Sequence, residues 1–193
     1  MDDHPSEKQR LRRGAHAKAA DSGVERHRLD RELADRFLAA FPPDPSKILS
    51  FFWPMARECD TRPIAEACHD SGMRCTLPVI RQDGTHGLVF RLWQRGAPMR
   101  KSRFGTMEPL PQAERLEPNI LLVPLVMVDM QGNRLGRGAG HYDATIMELR
   151  ARRDIMAIGV AYDWQVSEES LPSEAHDARL DGLVTPTRVI LFP

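Results

Sequence analysis

Cysteine is scarce in this sequence, and a surplus of charge of either sign is absent. Only three cysteines occur among the 193 residues, Cys59, Cys68 and Cys75. They form no C-x-x-C pair and have no histidine at ligand spacing, which argues against a zinc site or a disulfide framework and favours reduced thiols. Basic and acidic residues number 27 each, so no overall field draws the chain to nucleic acid or to an anionic membrane.

Long hydrophobic runs are also missing. No apolar stretch has the length of a membrane span, and Arg12 and Arg13 are followed by polar residues rather than by the apolar segment of a signal peptide. We therefore expect a cytoplasmic protein that binds neither membrane nor nucleic acid. With 41% hydrophobic residues, the chain can bury the core of one domain. Residues 1–193 are expected to form that single domain, with a partly extended segment at 1–25.

What the sequence does contain is a series of apolar runs separated by segments with helical spacing. An apolar residue at every fourth position from Leu29 to Phe41 predicts a helix with one apolar face, and residues 62–72 predict a second helix with Asp60 or Thr61 as its cap. Two runs joined by a turn at 83–84 predict a β-hairpin. Further strands are predicted at 48–54, 120–128, 155–162 and 188–192.

Strands that alternate with helices predict an α/β fold. We expect an open, mostly parallel sheet flanked by helices in a Rossmann-like three-layer arrangement, with the hairpin at one side. Ligands bind at the carboxyl ends of strands in such sheets.

A glycine-rich loop follows the apolar run at 120–128. Gly136, Gly138 and Gly140 precede helical spacing that begins near Tyr142. Alternating glycines let backbone N–H groups approach an anion closely, and the following helix adds its free N–H groups and its dipole. The G-x-G-x-G spacing matches neither the dinucleotide fingerprint nor the Walker loop. The loop therefore predicts a phosphate site of another kind.

Charged residues surround these glycines. Arg134 and Arg137 can neutralise phosphate oxygens, and Asp143 carries a carboxylate suited to Mg²⁺. As a loop residue beside three glycines, Arg134 is expected to contribute charge rather than packing. The alternative is a flexible surface turn with solvated arginines. In that case Asp143 only stabilises the helix through its dipole, by about 0.3 to 1 kcal/mol.

Taken whole, PLVMVDMQGNRLGRGAGHYD resembles the signature of the 5-formyltetrahydrofolate cyclo-ligase family, also called 5,10-methenyltetrahydrofolate synthetases. The matching positions are Asp129, Gly132, Arg134, Leu135, Gly136, Gly138, Gly140, Tyr142 and Asp143. The resemblance implies an ATP- and Mg²⁺-dependent ligase that converts 5-formyltetrahydrofolate to 5,10-methenyltetrahydrofolate through a phosphorylated formyl group. It implies a folate substrate as the small-molecule partner, and we expect the chain to be a monomer.

The resemblance also implies roles for individual residues. The arginines Arg134 and Arg137 are the implied catalytic residues. A Lys-x-x-Leu-Arg pattern near the start resembles the family's first helix and adds two basic residues to the implied ATP site. The implied ATP-binding residues are Lys8, Arg12, Arg134, Leu135, Gly136, Arg137, Gly138, Ala139, Gly140, His141 and Tyr142. The implied substrate-binding residues are Trp53, Glu58, Arg137 and His141. The implied metal ligands are Asp143 and Asp177, with Asp181 at the position of a later family aspartate.

Three positions depart from the family pattern. His141 stands where tyrosine or phenylalanine is usual, Leu125 where glycine is common, and Val128 where phenylalanine is common. These departures affect the expected shape of the pterin pocket rather than the phosphate chemistry.

Two other functions remain open on the sequence alone. A different phosphate-binding α/β enzyme, such as a small-molecule kinase or a sugar-phosphate enzyme, would use the same loop without needing Glu58 or Trp53. A non-catalytic nucleotide- or RNA-binding module would use the basic N-terminus and show steep salt dependence.

Overall fold

The computed structural model describes residues 6–18 and 25–193. Within them the helices are α1 Glu7–Lys18, α2 Arg26–Ala40, α3 Arg62–Asp70 and α4 His141–Arg150. The strands are β1 Ile48–Ser50, β2 Arg74–Ile80, β3 Leu88–Trp93, β4 Met99–Lys101, β5 Met107–Pro109, β6 Ile120–Pro124, β7 Met127–Asp129, β8 Arg134–Leu135, β9 Met156–Val160, β10 Val166–Ser167, β11 Gly182–Val184 and β12 Val189–Leu191. A 3-10 turn spans Asp163–Gln165.

Seven strands form the main sheet, in the order β12-β11-β9-β6-β1-β2-β3. The five central strands run parallel, whereas β3 and β12 pair antiparallel with their neighbours at the two edges. The predicted α/β fold with a mostly parallel sheet is therefore confirmed, and so is the hairpin, which is the β2–β3 pair. Two small sheets, β10-β7-β8 and β4-β5, lie outside the main sheet.

The sheet buries a separate apolar core on each face. Along β6, Leu122 joins the core that contains α2 and α3, while Leu121 and Val123 join the core that contains α4. Successive side chains of a strand point to opposite faces, so a strand covered on both sides must be apolar throughout. This explains the continuous apolar run that the sequence shows here.

The helices cover these faces as the spacing predicts. Leu33 and Phe37 of α2 are buried, which confirms the apolar stripe. Helix α3 begins after Thr61, whose hydroxyl donates instead to the carbonyl of Phe52 at 2.7 Å. The carboxylate of Asp60 accepts the Arg62 backbone N–H at 3.0 Å, so Asp60 rather than Thr61 supplies the side-chain hydrogen bond at the start of α3.

Several predicted boundaries are wrong. The run at 120–128 is two strands in different sheets, because Pro124 cannot donate to a ladder and the Val126 N–H instead bonds the Leu135 carbonyl at 2.7 Å. The run at 48–54 gives only the short β1, and β11 was not expected. The segment 1–25, which was expected to be only partly extended, contains helix α1 at residues 7–18, and its residues 1–5 and 19–24 lie outside the described residues, so that expectation stays a prediction.

Candidate functional site

A pocket of about 370 Å³ opens where β1, β2 and β6 end. Its wall includes all fifteen residues to which the sequence assigned a role, from Lys8 and Arg12 through Trp53, Glu58 and the segment 134–143 to Asp177. Of the three departures from the family pattern, Leu125 and His141 line the pocket, whereas Val128 is fully buried elsewhere. The fold thus brings together residues that are up to 169 positions apart.

The predicted phosphate loop, residues 136–140, follows a turn that is held together by hydrogen bonds. The buried carboxylate of Asp129 accepts four hydrogen bonds, including those from the N–H groups of Gln131 and Asn133 at 2.9 Å. Beyond β8 the chain passes through Gly138 at φ +100° and Gly140 at φ +68°, and α4 starts immediately afterwards. Left-handed backbone of this kind favours glycine. It turns the chain sharply enough for the first N–H groups of α4 to face an anion.

Arg134 is not a solvated loop residue. Its side chain is 4% exposed, donates to the Ala178 carbonyl and pairs with Asp143 at 2.7 Å. Burial lowers the pKa of Arg134 from its ordinary value, and the charge of Asp143 opposes that shift. Arg134 therefore belongs to strand β8 and not to an exposed loop, and its buried guanidinium ties this strand to residue 178.

Arg137 is the more accessible arginine. Its Nε donates to Glu58 Oε1 at 3.0 Å, with 45% of the arginine side chain exposed and only 10% of the glutamate. The other Glu58 oxygen accepts the Met55 N–H at 2.8 Å. Arg57, directly before Glu58, adopts φ +75°, an uncommon backbone state that is concentrated at functional sites. This ion pair joins Glu58, the residue implied to bind the folate, to the phosphate loop.

Helix α1 docks onto the same pocket. Lys8 Nζ donates to Glu174 and Asp177, each at 2.8 Å, and Arg12 Nε donates to the Gly136 carbonyl at 2.8 Å. Burial alone would lower the pKa of Lys8, but the hydrogen bonds and charges of the two carboxylates outweigh it and raise that pKa. The same contacts keep the pKa of Asp177 below its ordinary value, although burial acts in the opposite direction. Lys8 and Arg12 of α1 thus both face the pocket.

The apolar wall holds Trp53, which is half-buried. The guanidinium of Arg62 lies over the indole at 5.2 Å from its centroid, and Asp60 fixes that guanidinium through bonds of 2.6 to 3.1 Å. This arrangement sets the orientation of the ring toward the pocket.

His141 and Tyr142 form the start of α4. His141 Nδ1 lies 2.6 Å from the carbonyl oxygen of His86, so the ring joins the β2–β3 turn to the phosphate loop. Burial raises the pKa of Tyr142 well above its ordinary value, which keeps the phenol neutral. The Leu135 side chain is 2% exposed, and Ala139 has no polar side-chain atom, so these two positions can offer a nucleotide little beyond backbone groups.

The carboxylates suit a hard cation. The hydrogen bonds that Asp143 accepts from described residues both end on Oδ1, and those of Asp177 both end on Oδ2. The other oxygen of each carboxylate accepts no hydrogen bond from the described residues, although His176 Nε2 lies 3.9 Å from Asp177 Oδ1. Mg²⁺ needs only one or two protein carboxylates. Asp181 lies outside the pocket, since its carboxylate is held by Arg150 and the Ala157 N–H, each at 2.7 Å.

Sequence reasoning missed several residues of this site. Glu174 carries no local signal, because its partner Lys8 lies 166 positions away. Arg62 was missed because its contact with Trp53 depends on how the chain turns between β1 and α3. Phe104, Thr106 and Met107 also line the pocket, although the sequence gave none of them a role.

Comparison with known proteins agrees with this geometry. The sequence profile of the 5-formyltetrahydrofolate cyclo-ligase family matches residues 4–186. A 5-formyltetrahydrofolate cyclo-ligase of Mycolicibacterium smegmatis is 34% identical over 145 residues, covering 72% of this chain and 73% of the relative. The enzyme of that name from Haemophilus influenzae is 27% identical over 163 residues, covering 82% of this chain and 86% of the relative.

A solved structure shows the same architecture. The structure of Aquifex aeolicus 5,10-methenyltetrahydrofolate synthetase superposes with a TM-score of 0.77 at 28% identity, covering 95% of this chain and 92% of that one. No helix in the described part of the chain is long and apolar enough to cross a membrane. The profile match spans nearly the whole sequence, and the resemblance drawn from the loop is confirmed: the chain belongs to the 5-formyltetrahydrofolate cyclo-ligase family.

Proposed function

We propose that this chain uses ATP and Mg²⁺ to convert 5-formyltetrahydrofolate to 5,10-methenyltetrahydrofolate, with release of ADP and phosphate. The chain is a ligase by its family membership. The observation that supports the proposed substrate and the use of ATP is the ion pair between Glu58 and Arg137. In this pair a carboxylate, a group that suits the amino edge of a pterin, contacts the glycine-rich loop within one pocket.

The reaction needs no covalent nucleophile from the protein. The formyl oxygen on N5 attacks the γ-phosphorus of ATP and ADP leaves, which gives an iminium phosphate. N10 then adds to the activated carbon and loses its proton, and phosphate departs with the C–O bonding pair to leave the methenyl cation. The protein must align the formyl oxygen with the γ-phosphate and neutralise the charge that develops there.

The residues divide these tasks by their accessibility. Arg137 is exposed enough to exchange its bond with Glu58 for a phosphate oxygen once the substrates enter. Arg134 stays in place and adds a fixed positive charge at the base of the pocket. The loop N–H groups and Arg12 bind the remaining phosphate oxygens, and Trp53 packs against the pterin.

Asp143 and Asp177 would hold the metal through their remaining oxygens. When bound, Mg²⁺ neutralises negative charge on the β- and γ-phosphates. Lys8 bridges Asp177 and Glu174, and so holds α1 close to this group.

The test is to incubate the purified protein with 5-formyltetrahydrofolate and MgATP. We expect the absorbance of the methenyl product to rise and one molecule of ADP to form for each molecule of that product. ATP hydrolysis without methenyl product, or no reaction with either substrate, would contradict the proposal.

The other functions left open by the sequence gain no specific support. A kinase or sugar-phosphate enzyme would leave the Glu58 contact unexplained. For a nucleic-acid-binding module, Lys8 and Arg12 should face outward, whereas both point to the pocket. The monomeric and cytoplasmic states stay predictions.

A further inference from the structure

A second cavity, of about 210 Å³, lies beside the edge strand β3 on the face of the sheet that α4 covers. The wall of this β3 cavity is formed by β3, by one side of α4, by the segment 115–117, and by Arg81 and Arg152. Among the described residues, Leu88 alone lines both this cavity and the pocket around the phosphate loop. The β3 cavity is therefore a separate place in the fold, and the proposed reaction makes no use of it.

Hydrogen bonds hold the walls of the β3 cavity in place. The Leu116 N–H donates to the Phe90 carbonyl at 3.1 Å, which aligns the segment 115–117 with β3. On the opposite wall, the hydroxyl of Thr145 in α4 accepts the Leu88 N–H at 2.8 Å. The shape of the cavity is therefore set by elements of the fold that are bonded to one another.

The cavity combines an apolar floor with a charged rim. The side chains of Leu88, Phe90 and Leu149 are buried and belong to the core beneath α4. Three arginines and two glutamates stand around them, and these are Arg81, Arg115, Arg152, Glu117 and Glu148. One positive charge is left over, so the rim favours an anion over a cation.

Both glutamates of the rim are already paired. Glu148 Oε2 lies 2.7 Å from Arg81 Nη2, and its Oε1 lies 3.3 Å from Arg152 Nη2. Glu117 Oε1 lies 3.0 Å from the same Arg152 nitrogen. The Arg115 guanidinium is exposed and has no carboxylate partner among the described residues. Arg115 is thus the cation of this rim that is available to a ligand.

Arg81 also has donors to spare. Its Nη2 makes both bonds to Glu148, at 2.7 and 2.9 Å, whereas its Nε is buried without a hydrogen-bond partner among the described residues. Buried donors in folded proteins nearly always have a partner. An acceptor bound beside this guanidinium would therefore add to its hydrogen bonding.

The neighbouring Arg91 experiences the surplus of positive charge. Burial lowers the pKa of Arg91, and the charges of Arg115 and Arg100 lower it further. An anion placed at Arg115 would relieve this repulsion between like charges.

We propose that the β3 cavity is a second binding site, which takes a small organic anion with an apolar body and one carboxylate or phosphate group. The body packs on Leu88, Phe90 and Leu149, and the charged group pairs with Arg115 and accepts from Arg81. Arginine binds carboxylate and phosphate alike through its paired N–H donors. Pockets for drug-sized ligands have volumes of about 300–1,000 Å³, so the ligand of this cavity is smaller than those.

The test is a titration of the isotope-labelled full chain, followed through its backbone amide signals in two-dimensional NMR spectra at constant ionic strength. The probes are benzoate and phenyl phosphate. Benzamide is the uncharged counterpart of benzoate, and inorganic phosphate is the anion without an apolar body. The amides of Val89, Phe90 and Leu116 report on the β3 cavity, and those of 136–140 report on the phosphate loop, which phenyl phosphate can also occupy.

We expect both organic anions to shift the signals of Val89, Phe90 and Leu116 in a saturable manner, and phenyl phosphate to do so at lower concentration than inorganic phosphate. The tighter of benzoate and phenyl phosphate identifies the preferred charged group. Arg115→Gln should raise the Kd for benzoate by about two- to five-fold, the range of a solvent-exposed ion pair. It should leave the Kd for benzamide and the Tm unchanged, because no carboxylate of the described residues depends on Arg115.

Two more variants complete the test. Arg115→Lys keeps the charge and should retain most of the affinity for benzoate. Arg31→Gln is the matched control, since Arg31 is an exposed arginine of α2 that lines neither cavity, and it should bind benzoate as the wild type does.

Three results would overturn the proposal. They are signals that move only at 136–140 or nowhere, equal affinities of the wild type for benzoate and benzamide, and an Arg115→Gln variant that binds benzoate no more weakly than Arg31→Gln. None of these measurements involves turnover of a folate, so they are independent of the proposed function.

Discussion

The pair formed by Arg134 and Asp143 gives the sharpest prediction, because it couples stability to the site. Replacing Asp143 by asparagine keeps the shape and an oxygen that can accept the Ala178 N–H, but removes the charge opposite a guanidinium that is 4% exposed. Removing one partner of a fully buried ion pair lowers the free energy of unfolding by about 3–5 kcal/mol, because the other charge stays buried without compensation. Since 24% of the Asp143 side chain is exposed, solvent screens part of this, and we expect a loss of about 2 kcal/mol.

This loss is measurable in a protein of this size. A change of 1 kcal/mol shifts the melting temperature by about 2–4 °C for 150–250 residues, so Asp143→Asn should lower Tm by about 4–8 °C. That exceeds what the helix dipole alone predicts. The control is Asp70→Asn, whose partner Arg95 lies with it in solvent, and which should cost less than about 1 kcal/mol.

A double-mutant cycle isolates the pair. Arg134→Met and Asp143→Asn should be less destabilising together than the sum of their separate costs, with a coupling of about 1 kcal/mol or more by urea denaturation. ADP formation by folded Asp143→Asn, assayed well below its Tm, should be abolished or greatly slowed. A loss of stability within about 0.5 kcal/mol, the range of ordinary surface substitutions, would refute the argument that this pair is energetically buried.

Three further substitutions test other parts of the site and the fold. Glu58→Gln should raise the KM for folate far more than that for ATP, and a pure loss of ATP binding in steady-state kinetics would contradict the folate assignment. Gly138→Ala should cost about 1–2 kcal/mol, because φ +100° strains any side chain, whereas Gly136→Ala has open space and serves as its control. Burial raises the pKa of Asp30, so the folded state keeps this proton to higher pH than the unfolded chain and stability falls as pH rises from about 4 through the folded pKa. Asp30→Asn should flatten that part of the curve of Tm against pH, and an unchanged curve would show that another group is responsible.

Much of the fold could be predicted because its signals are local. The stripe on α2 and the β2–β3 hairpin depend on periodicity and turn residues within a few positions of one another. Strand ends were less predictable. The run at 120–128 looks uniform in sequence, but where it leaves the main sheet depends on Pro124 and on a partner strand at 134–135.

The sequence by itself determined the backbone character of the glycine-rich loop. The spacing of Gly136, Gly138 and Gly140 between an apolar strand and a helix specifies a backbone that can surround phosphate, since glycine conformation and helix N–H groups are local properties. Residue types were enough to mark Arg137 as a candidate, whereas Glu58 and Asp177 became candidates only through the resemblance to the family.

Only the tertiary structure decided how those candidates act. It buried Arg134 against Asp143, paired Glu58 with Arg137, and turned Lys8 toward Asp177. The charge of a side chain is fixed by its chemistry, but its exposure and partner depend on chain segments that meet only after folding. The environment that separates a solvated arginine from a buried one is therefore a property of the packed molecule.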